Sequence, residues 1–313
     1  MGTNFLQDKI DGVRKNLADV IRGKQEVIDL VLIAMISGGH ILLDDVPGVG
    51  KTTLAKALSL SVDAAFKRIQ FTPDLLPADI LGASVYNAKT TSFDFYKGPI
   101  FTNILLADEI NRASPRTQSA LLEAMNEKQI TIEGRSYILD DPFMVIATEN
   151  PVESYGTYPL PEAQLDRFSM QLSLGYPDMA AELEMLEARQ STDPLNHVKP
   201  CLSCIDLNSI RQEVKMVNIE DTVAKYMLAL IRSTRADDRL QLGCSPRALL
   251  TLASCARACA WMNRRDYVIP TDVKKLIQPV LAHRLLLDLR SRHAGVSAKD
   301  ILQELEDKIK IPF

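Results

Sequence analysis

Short apolar runs alternate with amphipathic helical patterns in the first part of the chain, up to Tyr176. The runs that we predict as buried strands are His40–Asp44, Phe66–Phe71, Ile104–Asp108 and Phe143–Thr148. Apolar residues recur with helical spacing over Lys9–Ile36, Thr52–Val62 and Thr117–Asn126. Buried strands that alternate with helices are typical of a parallel α/β sheet. We therefore predict an α/β domain over residues 1–176.

From Pro177 onward the pattern has only helical periodicity. Helices are predicted over Ala180–Arg189, over Asp221–Arg235 and from Ser245-Pro246 to Arg264, the last with Ser245 as its N-cap. Two more are predicted to begin at Thr271-Asp272 and at Ser297, where Ser297 and Asp300 resemble a capping box. Ser191–Ser203 is the predicted loop. Residues 177–313 are thus expected to form a small, all-helical second domain.

Two β-hairpins are predicted inside the α/β domain. The first pairs Ser84–Ala88 with Ser92–Lys97. The second is tighter and pairs Gln129–Glu133 with Ser136–Leu139 through Gly134-Arg135. The pattern leaves open whether they are plain surface ribbons or contact a partner.

Composition narrows the class of protein. The chain has 313 residues, enough for two domains. Its net charge of -4 gives no basic field, so nucleic acid is not an expected partner. The charged N-terminal residues leave no room for a signal peptide, and polar residues and glycines break the longest apolar runs. We expect a soluble, cytoplasmic protein without a membrane span.

A phosphate loop follows the first predicted strand. The segment between that strand and the next helix is Asp45-Val46-Pro47-Gly48-Val49-Gly50-Lys51-Thr52-Thr53. Glycines let the backbone N–H groups curl around phosphates, Lys51 supplies a cation, and Thr52 supplies a hydroxyl ligand for Mg²⁺. Asp45 stands where the usual pattern has its first glycine, but it precedes the curled part, so its side chain can point away. The segment predicts a nucleotide site formed by Val46–Thr53, and a glycine-rich turn that caps a helix is the alternative explanation.

Polar residues also follow two other predicted strands. Asp108 and Glu109 end one apolar strand, and Asn150 follows another. A phosphate-loop enzyme needs a carboxylate near Mg²⁺ and a base for the attacking water, both at the carboxyl edge of the sheet. We assign Asp108 to the metal and Glu109 to the base, and Asn150 can orient the water. An ordinary Asn-Pro turn is the alternative explanation for Asn150.

The order of these motifs, followed by Leu165-Asp166-Arg167-Phe168 and Ser245-Pro246-Arg247-Ala248, resembles the AAA+ ATPases. Within them, the chain resembles the MoxR family. The strings that carry this resemblance are Gln70–Pro77 (QFTPDLLP), Ala107–Ala113 (ADEINRA) and Gly156–Phe168 (GTYPLPEAQLDRF). It covers essentially the whole chain and implies an αβα core with a parallel sheet, followed by a helical lid.

The resemblance also implies roles for single residues. Asn150 would be the sensor-1 residue, Arg167 the arginine finger and Arg247 the sensor-2 arginine, while Ile21 falls where the family contacts adenine. The two hairpins would be inserts that face the pore of a ring or a partner. A surface salt bridge with the adjacent Asp166 is the alternative explanation for Arg167.

The function implied by the resemblance is that of a hexameric, Mg²⁺-dependent ATPase with a chaperone-like task. Such a ring would remodel, assemble or activate a client protein, with a von Willebrand factor A domain protein as an expected partner. Two alternatives stay open: a magnesium-chelatase-type motor subunit and a nucleotide-gated scaffold that does not hydrolyse ATP. The presence of Glu109, Asn150 and Arg167 argues against the scaffold.

Overall fold

A five-stranded parallel sheet lies at the centre of the first domain of the computed structural model, which describes residues 2–150, 157–177, 179–180, 182–183 and 193–310. Numbered along the chain and given in spatial order, the strands are β2 (Phe66–Gln70), β5 (Ile104–Asp108), β8 (Met144–Glu149), β1 (Ile41–Asp44) and β9 (Met170–Leu172). All pairings are parallel. The four predicted strands are confirmed with ends that differ by at most one residue, whereas β9 was not predicted.

Helices cover the sheet, and the first predicted one is in fact two. The core helices are α1 (Gly2–Val20), α2 (Gln25–Ile36), α3 (Lys51–Ser61), α4 (Pro77–Leu81), α5 (Pro115–Glu127) and α6 (Glu162–Leu165). The pattern over Lys9–Ile36 was predicted as continuous. The chain leaves the helix between α1 and α2, where Gly23 has a φ of 71°, a left-handed conformation that glycine adopts without strain.

Both predicted hairpins are present. The first consists of β3 (Gly82–Asn87) and β4 (Ser92–Lys97), and the second of β6 (Gln129–Ile132) and β7 (Arg135–Ile138). The two hairpins touch, because Phe95 of the first stacks on Tyr137 of the second with ring centroids 4.3 Å apart.

The second domain is a helical lid. From residue 193 to 310 its helices are α7 (Cys204–Met216), α8 (Asp221–Arg235), α9 (Pro246–Met262), α10 (Pro270–Leu281), α11 (Leu289–His293) and α12 (Ala298–Lys308). The predicted caps are confirmed, since the Ser245 Oγ accepts from Ala248 N, and Ser297 forms a capping box with Asp300. Helical periodicity did not predict α7 or the short ribbon of β10 (Leu240–Leu242) and β11 (Leu286–Leu287).

The hydrophobic core continues from the sheet into the lid. One cluster of buried residues includes Leu17 of α1, Ile28 of α2 and Leu252 of α9. The contact is also polar, because Gln7 Nε2 donates to the carbonyl of Trp261 at 2.9 Å. The division at residue 176 therefore stays a prediction, and most of the predicted helix Ala180–Arg189 lies outside the described residues. None of the described helices is long and apolar enough to cross a membrane.

Candidate functional site

The phosphate loop has the backbone geometry of an anion site. Gly48 and Gly50 have φ values of 88° and 98°, so the loop turns twice through the left-handed region. Helix α3 begins directly after it at Lys51, and no side chain caps that end. Such a turn in front of an uncapped helix N-terminus presents backbone N–H groups to a phosphate.

The ammonium group of Lys51 is buried at the base of this loop. Its Nζ donates to the carbonyl of Asp45 at 2.6 Å and to that of Glu149 at 3.4 Å. Among the described residues, no carboxylate forms an ion pair with it. The charge of Lys51 is therefore available to an anion at the loop.

Asp45 points away from the phosphate loop, as predicted for this departure from the usual pattern. Its carboxylate accepts hydrogen bonds from Ser173 Oγ at 2.7 Å, from Leu174 N at 2.6 Å and from Gly175 N at 3.0 Å. An aspartate at this position thus holds the segment after β9 against the end of β1, and it does not add charge to the phosphate site.

Ile21 lies against the loop from the break between α1 and α2. A Cβ atom built on Gly50 would lie 3.5 Å from its Cδ1. Ile21 is buried, and Val49 packs against the same cluster. The structure therefore places an apolar side chain against the loop at the position predicted to contact adenine.

Asp108 and Glu109 meet Thr148 where β5 and β8 end. The Thr148 hydroxyl donates to Asp108 Oδ1 at 2.6 Å and accepts from the backbone N–H of Glu109 at 2.8 Å. Glu109 has a φ of 56°, a conformation that costs free energy for a residue with a side chain. The hydroxyl of Thr148 thus fixes both acidic residues relative to the neighbouring strand.

The carboxylate of Glu109 is already engaged. Its Oε2 accepts from Gln70 Nε2 at 2.8 Å and from Arg112 Nη1 at 3.0 Å. Glu109 has to exchange at least one of these donors for water before this oxygen can take a proton from it.

A polar network on β2 joins the two acidic residues, and sequence reasoning missed it. Arg68 donates to Asp108 Oδ2 through Nη2 at 2.6 Å and through Nε at 3.1 Å. The same Nη2 donates to Gln70 Oε1 at 2.9 Å, and Gln70 in turn binds Glu109. The register of β2 against β5 pairs Gln70 with Asp108, which explains why side chains of β2 contact the two acidic residues. Sequence alone does not indicate this role for Arg68, because an arginine on an outer strand is usually solvated.

The residues assigned to the metal fit Mg²⁺. Thr52 in the first turn of α3 and Asp108 offer only oxygen ligands, which Mg²⁺ prefers. No group of three or more His, Cys, Asp and Glu side chains forms a metal cage within the described ranges. Mg²⁺ binds to nucleotides through one or two protein ligands, phosphates and water. Arg68 occupies Asp108 Oδ2 and has to release it before this oxygen can face a cation.

Asn150 is buried at the same edge, and a second pair of carboxylates lies beside it. Glu149 is paired in register with Asp44 on β1. Burial, and secondarily the Asp44 carboxylate, raises the pKa of Glu149 to about 7. The pKa of Asp44 is also raised, mainly by burial and then by Asp45. Neither Glu149 nor Asp44 was predicted as a site residue from the sequence.

Arg167 lies at the amino edge of the sheet, where the strands begin, opposite the carboxyl edge that carries the phosphate loop. It precedes Ser169, whose backbone N–H donates to the carbonyl of His40 at 2.8 Å, directly before β1 and β9 begin side by side. The phosphate loop follows the other end of β1. The four residues of β1 separate the two edges by about 13 Å, at about 3.3 Å per residue. Arg167 is therefore remote from the phosphate loop of its own chain.

The adjacent Asp166 does not pair with Arg167, so the alternative explanation for Arg167 is wrong for this pair. Asp166 binds Arg284 and Ser245 of the lid. The guanidinium of Arg167 is partly exposed and has no hydrogen bond or ion pair among the described residues.

Arg247 lies at the same edge as Arg167. This exposed side chain contacts Asn126 Oδ1 near the end of α5. It also lines a cleft of about 250 Å³ together with Gly38, Gly39 and Ser169. The structure therefore brings Lys51, Thr52, Asp108, Glu109 and Asn150 together at one edge, and Arg167 and Arg247 at the other.

Comparisons with known proteins identify the fold family. A family model for the "ATPase family associated with various cellular activities (AAA)" matches residues 40–170, and one for the AAA lid domain matches residues 232–305. A crystallised protein of Cytophaga hutchinsonii superimposes with a TM-score of 0.92 at 40% identity, over 99% of this chain and 97% of that one.

Two relatives carry the comparison further. YeaC of Bacillus subtilis is 47% identical over 293 residues, which cover 94% of this chain and 92% of YeaC. Chaperone MoxR1 of Mycobacterium tuberculosis is 38% identical over 302 residues, which cover 94% of this chain and 80% of MoxR1.

The raised pKa of Glu149 predicts a stability that depends on pH. A carboxyl whose pKa is higher in the folded chain binds its proton more tightly there. Its stabilisation is complete below the ordinary pKa of 4.5 and is lost as the pH rises through about 7. Glu149→Gln stays neutral, so its free energy of unfolding should exceed that of the wild type by about 1–3 kcal/mol at pH 8.

Urea titrations at pH 5.5 and pH 8 measure this effect. The difference between Glu149→Gln and wild type should shrink at pH 5.5, whereas Glu123→Gln on the exposed side of α5 should show the same small difference at both values. A Glu149→Gln difference that does not change with pH would contradict the assignment.

Proposed function

The chain belongs to the MoxR family of AAA+ ATPases, and on that premise we propose a ring-forming, Mg²⁺-dependent ATPase that uses hydrolysis to remodel or activate a client protein. One observation carries the proposal: the residues that would bind and hydrolyse ATP lie at one edge of the sheet, and the two arginines that would complete the site lie at the other. Two copies in head-to-tail contact would join these edges.

The carboxyl edge would bind the nucleotide. The N–H groups of Val46–Thr53 and the start of α3 would bind the phosphates, and Lys51 would neutralise their charge. Ile21 would contact the adenine ring. Thr52 and Asp108 would hold Mg²⁺. When bound, Mg²⁺ supplies neutralisation of the charge on the β- and γ-phosphates.

Glu109 would act as the base for the attacking water, with Asn150 as its orienting partner. Glu109 is bound by Gln70 and Arg112, and Arg68 holds Asp108. Nucleotide binding would exchange these contacts. Hydrogen bonds from arginine to a carboxylate are charge-assisted and therefore strong. Only correctly bound ATP and Mg²⁺ would then replace Arg68 and Arg112, so activation would depend on ATP binding.

The arginines would act on the ATP of a neighbouring subunit. A guanidinium that is partly exposed and unpaired in the described part of the chain, as Arg167 is, can stabilise the charge that develops on the transferred phosphoryl group. Arg247 is exposed beside a cleft at the same face and would serve as the sensor-2 contact across the same interface. The family resemblance supports six subunits in the ring.

A protein client is supported by the first hairpin. Its exposed apolar side chains are Val85, Tyr86, Phe93 and Tyr96. Exposed aromatic residues are enriched where proteins meet. The name of the relative Chaperone MoxR1 supports a chaperone task more than the magnesium-chelatase alternative. A von Willebrand factor A domain protein remains the proposed type of partner, and we place the ring in the cytoplasm, where ATP is available.

The Glu109→Gln variant tests the base. It should bind ATP as the wild type does, because the amide keeps the size of the side chain, yet hydrolyse it about 10²–10⁴-fold more slowly. Phosphate release at saturating ATP and a titration with a fluorescent nucleotide measure the two effects. Glu123→Gln, an exposed glutamate on α5, serves as the control with normal turnover. Normal turnover of Glu109→Gln would show that Glu109 is not the catalytic base.

Mixed rings test the arginine finger. Arg167→Ala should bind ATP normally and lose about 10³-fold or more of its turnover, and Lys51→Ala should lose ATP binding. When the two are mixed and allowed to exchange subunits, the Lys51→Ala subunits supply an intact Arg167 to intact phosphate loops, so activity should return. A finger that acts within its own subunit gives no recovery in a sample whose subunit exchange has been demonstrated.

A further inference from the structure

A buried arginine of the lid binds the chain on both sides of Arg167. Arg284 lies in a short 3-10 turn, Ala282–Arg284, between α10 and β11, and its side chain is 2% exposed. Its Nη1 donates to Asp166 Oδ1 at 2.9 Å and its Nη2 donates to the carbonyl of Phe168 at 2.6 Å. These are the two residues that flank Arg167.

The neighbouring lid residue supports the same turn. His283 is buried, and burial together with the charge of Arg284 lowers its pKa to about 3, so the ring is neutral. Its Nε2 lies 3.1 Å from the carbonyl oxygen of Phe168 and 3.3 Å from the Nε of Arg284. The carbonyl of Phe168, directly after Arg167, therefore accepts a hydrogen bond from Arg284 and is in contact with the His283 ring.

A second lid element holds Asp166. Ser245 Oγ lies 3.2 Å from Asp166 Oδ1 and 3.1 Å from Oδ2, and Ser245 is the N-cap of α9. Arg247 lies two residues further along, in the first turn of that helix. Asp166 thus connects the segment that carries Arg167 to both the α9 start and the Arg284 turn.

The charge of Arg284 makes this connection obligatory. A guanidinium removed from water needs a partner, and truncation of one side of a buried pair leaves an uncompensated charge. Asp166 is the carboxylate that binds Arg284 in the described part of the chain. The lid therefore cannot move relative to α6 and β9 without either carrying the Asp166–Phe168 turn along or breaking the pair.

We propose that Arg284 is a positioning residue for the arginine finger, so that the lid of one subunit sets the placement of the Arg167 that it offers to the next. The inference rests on the proposed ATPase ring and adds the regulation of its shared site. The lid and the phosphate loop belong to one chain. The nucleotide bound to one subunit would therefore affect, through Arg284 and Asp166, the placement of its Arg167 at the ATP site of the next subunit.

Steady-state kinetics of Arg284→Lys and Asp166→Asn test the proposal. Lysine keeps the charge but lacks the planar fork that spans Asp166 and the Phe168 carbonyl, and asparagine keeps the shape but loses the charge. Each should lower kcat by about 10²-fold through misplacement of the finger, while the KM for ATP stays at the wild-type value.

Mixing separates positioning from a structural defect. Arg284→Lys subunits retain an intact phosphate loop, so mixing with Lys51→Ala should restore activity. Mixing with Arg167→Ala should not, because neither subunit then offers a well-placed finger. A variant that merely damages its own fold or its own ATP site would not recover with Lys51→Ala.

A second buried pair in the lid provides the matched control. Arg265 binds Asp272 at 2.6 Å, and the Asp272 side chain is 4% exposed. Arg265→Lys should lower the melting temperature about as much as Arg284→Lys does, with kcat at the wild-type level.

Two results would overturn the proposal. They are a wild-type kcat for both Arg284→Lys and Asp166→Asn, and a loss of activity that Lys51→Ala subunits fail to restore. Should neither variant fold, the link is structural and the proposal is likewise wrong. If Lys51→Ala subunits do not restore the activity of Arg167→Ala either, the proposed site shared between subunits is wrong. If they restore Arg167→Ala but not Arg284→Lys, only the positioning role of Arg284 is wrong.

Discussion

The common direction of the five strands is the constraint on which the proposed mechanism depends. In a parallel sheet, whatever follows a strand lies at one edge and whatever precedes a strand lies at the other. The phosphate loop follows β1, and Arg167 precedes β9, which pairs with β1. No local adjustment of a side chain brings the two together within one subunit. A catalytic finger at Arg167 therefore requires a second copy of the chain.

At both edges, neighbouring side chains hold the residues that we propose as functional. ATP would have to replace these contacts at the carboxyl edge, whereas those at the amino edge have to persist. At the carboxyl edge, Arg68 and Gln70 bind the two acidic residues Asp108 and Glu109. At the amino edge, Arg284 fixes the turn around Arg167. Both networks use charge-assisted bonds, which are strong and directional enough to hold a geometry.

Sequence patterns predicted the parts of the fold that depend on local chemistry. The buried strands, both hairpins and the caps at Ser245 and Ser297 follow from apolar runs, turn residues and capping spacing. Strand β9 has only three residues, too few for a periodic signal, and it is held by pairing with β1. Arg284 was missed for a similar reason: a basic residue after a helix resembles a solvated one, and its burial depends on a partner 118 positions away in the chain.

The shared site is tested most directly by ATP turnover per subunit measured over a range of protein concentrations, with the particle mass followed by light scattering in the same samples. We expect turnover per subunit to be near zero where the protein is monomeric and to rise in step with the assembled fraction. A monomer that hydrolyses ATP as fast as the assembled protein would contradict a site divided between the two edges of the sheet.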